Sequence, residues 1–89
     1  MSKTSDSSKR APKNKVKLKS LMLIDDDYNT FDYVIDCLEA ICDHDSLQAE
    51  QCAVLTHYTG ECEIKVGLEE DLEMFRQDLS IYGLNVEVV

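Results

Sequence analysis

The apolar residues of this chain change their spacing four times along its length, and the order of those changes leaves few folds open. Val16-Lys17-Leu18-Lys19 alternates apolar with basic side chains, and Leu21-Met22-Leu23-Ile24 follows as an unbroken apolar run. A strand that is half-solvated at its start and buried further on fits both patterns. Asp25, Asp26 and Asp27 end it. Phe31, Val34, Ile35, Leu38, Ile41 and Cys42 then fall at helical spacing and form one apolar stripe. Asn29 ahead of them is the expected N-cap, with Asp32 at the third helical position.

Asp45-Ser46-Leu47-Gln48 repeats the capping pattern and opens a second helix over residues 46–58, whose Ala49, Cys52, Ala53 and Thr56 share a face. Thr59-Gly60 closes it. Cys62, Ile64 and Val66 alternate with Glu61, Glu63 and Lys65, the period of a strand. Leu68, Leu72, Phe75, Leu79 and Tyr82 mark a third helix, and Gly83 stands where a left-handed cap is expected. Val86 and Val88 form a last short strand with Asn85 and Glu87 between and beside them. The order β-α-α-β-α-β implies an α+β sandwich: a three-stranded antiparallel sheet with three helices on one face.

Charge divides the chain in two. Residues 1–20 carry seven cations against Asp6 alone, a net +6, whereas residues 21–89 carry two cations against 17 carboxylates, a net −15. Between Met1 and Val16 there is no large apolar residue. Such a segment buries too little to offset its ordering entropy, so residues 1–15 are expected to be a disordered basic extension and residues 16–89 the folded domain. With 89 residues the chain has material for one small domain. An acidic body excludes nucleic acid as the partner of the fold, because phosphates need a basic face. No apolar run approaches the ~20 residues of a membrane span, and the polar start carries no secretory apolar region. A cytoplasmic monomer with no cofactor is expected. Cys37, Cys42, Cys52 and Cys62 are then free thiols.

The residues that could carry chemistry are few. Three adjacent carboxylates repel one another and stay in a wet loop unless a cation holds them. Asp25, Asp26 and Asp27 are therefore a solvated turn, a divalent-metal loop, or a cradle for an organic cation. The alternating ligands and central glycine of a calcium loop are missing. His57, near a helix C-terminus, is either a dipole-stabilised surface residue or the wall of a pocket shared with that loop. The intervals between the four cysteines and His57 do not make paired zinc knuckles, so no metal site is expected. No nucleophile–base pair or glycine-rich phosphate loop is apparent, and the chain is not read as an enzyme.

Two segments carry a resemblance. Leu23-Ile24-Asp25-Asp26-Asp27-Tyr28-Asn29-Thr30-Phe31-Asp32-Tyr33-Val34 and Ala49-Glu50-Gln51-Cys52-Ala53-Val54-Leu55-Thr56-His57-Tyr58-Thr59-Gly60 resemble, in order and at the right distance, the two signatures of the Clp protease adaptor family ClpS. The version here resembles the form found in Bacteroidetes-type bacteria. The resemblance implies an adaptor that binds proteins with a large hydrophobic first residue (an N-degron). It would deliver them to the N-terminal domain of a ClpA- or ClpC-type AAA+ unfoldase coupled to the ClpP peptidase. Carried over by position, Asp25, Asp26 and His57 would hold the free α-amino group and first peptide unit, while Asp27 and Asn29 would shape the loop and rim. Phe31, Val34, Ala53 and Thr56 would line the side-chain pocket, with Asn85 or Val86 of the last strand as a further wall. Glu69 and Glu70 would dock the unfoldase. Three positions depart from the family pattern: Asp25 replaces an asparagine, Ala53 a bulky methionine or leucine, and Thr56 an aliphatic residue. They keep open a second reading, a protein–protein module on the same fold without N-terminal recognition.

Overall fold

The computed structural model describes residues 16–89, so the basic extension expected at residues 1–15 lies outside the described residues. The element order is β1 (Lys19–Ile24), α1 (Phe31–Cys42), α2 (Ser46–Thr59), β2 (Glu61–Gly67), α3 (Glu69–Ile81) and β3 (Val86–Val88). The strands form one antiparallel sheet in the order β2-β1-β3. The expected β-α-α-β-α-β sandwich is the observed one. β1 is central because its apolar run can be covered on one face and paired at both edges. Leu21 and Leu23 are buried, while Ser20, Met22 and Ile24 between and beside them are only partly so. Against Leu21 and Leu23 pack Leu38 and Cys42 of α1, Ala49 and Cys52 of α2, and Leu72 and Leu79 of α3.

The second and third helices begin and end much as their residues suggest. The Asp45 carboxylate accepts from the Gln48 N–H at 2.8 Å and caps α2. Gly60, at φ 96°, closes α2 in the left-handed region, its N–H donating to the Thr56 carbonyl. After α3 the Gly83 N–H donates to Ser80 and the Leu84 N–H to Leu79. This pair of bonds is a Schellman motif with Gly83 (φ 88°) in the left-handed position, and its apolar clasp is buried Leu79 beside buried Leu84.

Two expectations need correction. Asn29 does not cap α1: Thr30 does, its hydroxyl accepting from the Tyr33 N–H at 3.1 Å. The Asn29 side chain is taken by Asp26 and by the Gly83 carbonyl instead. Val66 does not face the core and is 52 % exposed. Leu21 pairs with Lys65 but Met22 with Glu63, so Ile64 is an extra residue in β2. This bulge reverses the alternation after it, turning Val66 to solvent and Lys65 toward α3, where its ammonium stands 4.9 Å from the centre of the Phe75 ring. α1 ends at Asp43, a non-glycine residue at φ 59°, with no glycine to mark the stop.

The bulge also explains a residue that the sequence pattern does not single out. His44 is buried, and its Nε2–H donates to the carbonyl of Ile64, the bulged residue, at 3.1 Å. It ties the α1–α2 connection to the place where the ladder is interrupted.

All four cysteines are free and buried. Burial pushes the Cys42 thiol up to about 11 and raises those of Cys37 and Cys52 as well. Thiols this reluctant to ionise are core-filling groups, poor as nucleophiles and as metal ligands.

Candidate binding cleft

At the C-terminal end of β1 the ladder runs out in a defined way. The Ile24 N–H donates to the Asn85 carbonyl and the Asp25 N–H to that of Gly60, and then the chain turns away. The turn is built on Asp26. Its Oδ1 accepts from the N–H groups of Tyr28 (2.9 Å) and Asn29 (2.8 Å), and its Oδ2 accepts from Asn29 Nδ2 at 2.8 Å. Asn29 Nδ2 also donates to the Gly83 carbonyl at 3.0 Å, which moors the turn to the end of α3. Burial alone would raise the pKa of Asp26. The backbone N–H and side-chain amide of Asn29, with the Tyr28 N–H, outweigh it and hold the carboxyl below its ordinary value. The turn leads straight into α1, whose positive end lies beside these carboxylates and eases their crowding.

The turn, the first residues of α1 and the last turn of α2 enclose a cleft of about 470 Å³. That volume falls in the range of small-molecule sites. Its buried lining is apolar or small: Leu23, Ala53 and Thr56, with half-buried Val34. The Thr56 hydroxyl is satisfied by the Cys52 carbonyl at 2.8 Å, so it makes no polar demand on the cleft. Phe31 and His57 stand across from one another as walls, edge to face, with ring centroids 5.3 Å apart. Asp25, Asp26, Asp27 and Asn29 form the remaining side. Asp25 and Asp27 are exposed, and Asp26 and Asn29 are partly buried.

Nine of the residues singled out in the sequence thus line one space: Asp25, Asp26, Asp27, Asn29, Phe31, Val34, Ala53, Thr56 and His57. Val86 does not. It pairs with Leu23 in the sheet and belongs to the core, and Leu23 itself faces the cleft in its place. Leu23, Ile24 and Thr30 are lining residues that the sequence reading passed over. Leu23 sits in the apolar run just before the acidic triple, and Thr30 in the capping position, so both could have been found by extending the motif by one turn. Roles also shift within the turn, since Asp26, rather than Asp27, is the residue that shapes it.

Glu69 and Glu70 are exposed on the first turn of α3 and share a shallow surface with Leu68 and Glu73. Glu73 is engaged by Arg76 one turn further on. This surface and the cleft lie at opposite ends of β1: Gly67, just before α3, is the register partner of Lys19, whereas the cleft begins at Leu23. The length of β1 keeps them about 15 Å apart or more.

Chemically, the cleft can hold an organic cation attached to an apolar group. Carboxylates, and the acceptor nitrogen of a neutral imidazole, suit a compact donor, and the apolar lining suits a hydrocarbon or aromatic side chain. Among the described residues no three His, Cys, Asp or Glu side chains come together so as to hold a metal ion. None of the described helices is long and apolar enough to cross a membrane.

The chain is a small α+β sandwich with an acceptor-rimmed, apolar-lined cleft. The sequence matches the family model of the ATP-dependent Clp protease adaptor protein ClpS over residues 14–87, and the chain belongs to that family of Clp protease adaptors. Among solved structures it is similar to Agrobacterium tumefaciens ClpS2 bound to L-phenylalaninamide, with a TM-score of 0.81 and 20 % identity, covering 84 % of this chain and 98 % of that one. The likeness shows a shared fold. Among curated proteins none matches the chain.

Proposed function

We propose that the cleft grips the first residue of a polypeptide, and that the chain delivers such N-degron proteins to a Clp AAA+ unfoldase coupled to ClpP. The observation that carries this is the convergence of Asp25, Asp26 and His57 on a single cleft whose buried lining is Leu23, Ala53 and Thr56. An α-ammonium is a compact cation with donors only. Asp25 is free to accept from it, and Asp26 Oδ2 keeps one acceptor site beyond its bond to Asn29. His57, as a neutral acceptor, completes the grip, and the first side chain lies against Leu23, Val34 and Ala53.

Magnitudes support the proposal. Charge-assisted hydrogen bonds contribute about 1.5–3 kcal/mol each, and burying a Leu or Phe side chain about as much. Two such bonds and one buried side chain, less the ordering cost, correspond to an affinity on the order of micromolar. L-phenylalaninamide, held by the Agrobacterium tumefaciens protein, has the same two features, a free α-amine and a large apolar side chain. Delivery uses the other end of β1, where Glu69 and Glu70 offer an exposed acidic surface to the N-terminal domain of a ClpA- or ClpC-type unfoldase. The adaptor works in the cytoplasm as a monomer.

Fluorescence anisotropy with a labelled peptide beginning with Leu or Phe tests the first half. The free peptide binds with micromolar affinity, and the same peptide acetylated at its amine does not. Equal binding of the two forms overturns the assignment in favour of a module blind to chain termini.

A further inference from the structure

A second groove lies at the other end of the sheet, between the last residues of β2 and the outer face of α3, with a volume of about 390 Å³. Asp71, Met74, Phe75 and Asp78 line it from α3 at intervals of three, four and seven residues, so they lie along one helical face. The middle of that face is apolar: Met74 is 66 % exposed, and Val66, turned outward by the bulge, 52 %. Each end carries a carboxylate. Among the described residues the only cation lining the groove is Lys65, already over the Phe75 ring. Next to the groove stand Glu69, Glu70 and Glu73, and Arg76 engages Glu73. An apolar strip with an acid at each end matches a short segment of the pattern cation–apolar–apolar–cation.

The chain itself contains one. Residues 9–15 read Lys-Arg-Ala-Pro-Lys-Asn-Lys, with Ala11 and Pro12 between Arg10 and Lys13. This segment precedes Lys19 in the sequence, and Lys19 is paired with Gly67, a groove residue. The spacings agree as well. Asp71 and Asp78 are two helical turns apart, about 10 Å along the axis. Arg10 and Lys13 are also about 10 Å apart in extended chain, the conformation that Pro12 favours at Ala11.

We propose that residues 9–15 occupy this groove in the same molecule, with Ala11 and Pro12 over Met74 and Phe75, Lys13 at Asp71 and Arg10 at Asp78. Tethering brings the segment to an effective concentration on the order of millimolar, enough to populate a weak, salt-sensitive contact. The acidic cleft at the far end of β1 is the poorer host, being about 15 Å or more further from the point where the segment joins the sheet. Because the groove adjoins Glu69 and Glu70, a partner docking there would displace the segment. That consequence rests on the function proposed above, but occupancy of the groove does not.

The test uses the full chain, isotopically labelled, with a nitroxide on Ser8→Cys; the four native thiols are buried and react poorly. At low ionic strength the amide signals of Val66, Asp71, Met74 and Asp78 lose intensity. They recover in 1 M salt, where the screening length falls to about 3 Å, and in an R10E/K13E double variant. Three results overturn the proposal: loss centred on residues 25–31, loss spread evenly over the domain, or no loss at all. Loss that appears only on an unlabelled partner molecule in a mixed sample also overturns it, since the contact would then be between copies. No peptide ligand enters the measurement, so its failure and failure of the cleft assignment are separable.

Discussion

Phe31, the first residue of α1, and His57, in the last turn of α2, meet edge to face with ring centroids 5.3 Å apart and planes inclined at 64°. They are 26 positions apart in sequence, and the contact makes the two walls of the cleft a single unit. His57 is itself flanked by Tyr58, whose ring stands 5.2 Å away. The imidazole is held by aromatic neighbours, and no hydrogen bond among the described residues engages its ring, so the one nitrogen that accepts in a neutral imidazole is left for a ligand.

Two substitutions at His57 separate these roles. His57→Ala removes both the acceptor and the ring contact, and peptide affinity falls about tenfold, the worth of one hydrogen bond of ~1–2 kcal/mol. His57→Phe keeps an aromatic wall but has no acceptor, so it shows nearly the same loss. Because His57 is exposed, the melting temperature of both variants, followed by circular dichroism, stays within a few degrees of the parent protein.

Ala53 controls the room available in the cleft. It is 4 % exposed, with the cleft beside it. Ala53→Met fills part of that space with a flexible thioether. Peptides beginning with Ile or Val, branched close to the backbone, lose affinity more than those beginning with Leu. Anisotropy titrations with these three peptides, differing only at the first position, read this out, and an equal loss for all three would place Ala53 away from the first side chain.

Asp26 makes the turn sensitive to acid. Its carboxyl is held below the ordinary value of 3.8 by donors from Asn29 and Tyr28, against the opposing effect of burial. A group with a lowered folded-state pKa contributes stability that is present above the unfolded value and lost as pH falls through the folded one. Asp26→Asn therefore unfolds more easily than the parent at neutral pH. The gap narrows as pH falls below about 4, where the carboxyl of the unfolded chain gains its proton, and closes once pH has passed below the lowered folded-state value. Urea midpoints measured between pH 7 and pH 2.5 check the convergence.

Asp43 is a place where the fold can be improved. It ends α1 in the left-handed region without being glycine. Asp43→Gly removes a steric cost of the order of 1 kcal/mol, less the extra freedom that glycine has in the unfolded chain. The net gain is a rise in melting temperature of a few degrees, measurable by calorimetry. The residue lies away from the cleft lining, so peptide affinity is unchanged.

His44 tests the bulge. Replacing it with Leu removes the donor that serves the Ile64 carbonyl. An unsatisfied buried carbonyl costs about 1–3 kcal/mol. The destabilisation appears in the urea midpoint, and amide exchange quickens first around residues 63–66.

Much of this protein was determined locally and could be read from neighbouring residues. Asp45 caps α2 because no other donor among the described residues takes its side chain, and Gly60 and Gly83 stand where left-handed backbone demands them. Period-two and helical spacing placed all six elements in order, because alternation and stripes express which side of one element is dry. The two motifs placed nine lining residues, because the turn after β1 and the end of α2 each contribute a contiguous group. Tertiary structure decided the rest, wherever one group had to choose between partners distant in the chain. Asn29 gave up the cap of α1 to Thr30 because Asp26 and the Gly83 carbonyl, 54 positions away, claimed its amide. Val66 turned outward because pairing with β1 required an extra residue at Ile64. Val86 left the cleft to Leu23 because the two strands pair there. Sequence spacing describes one element at a time, whereas hydrogen-bond competition and strand register are settled between elements, and only the assembled sheet supplies the second partner.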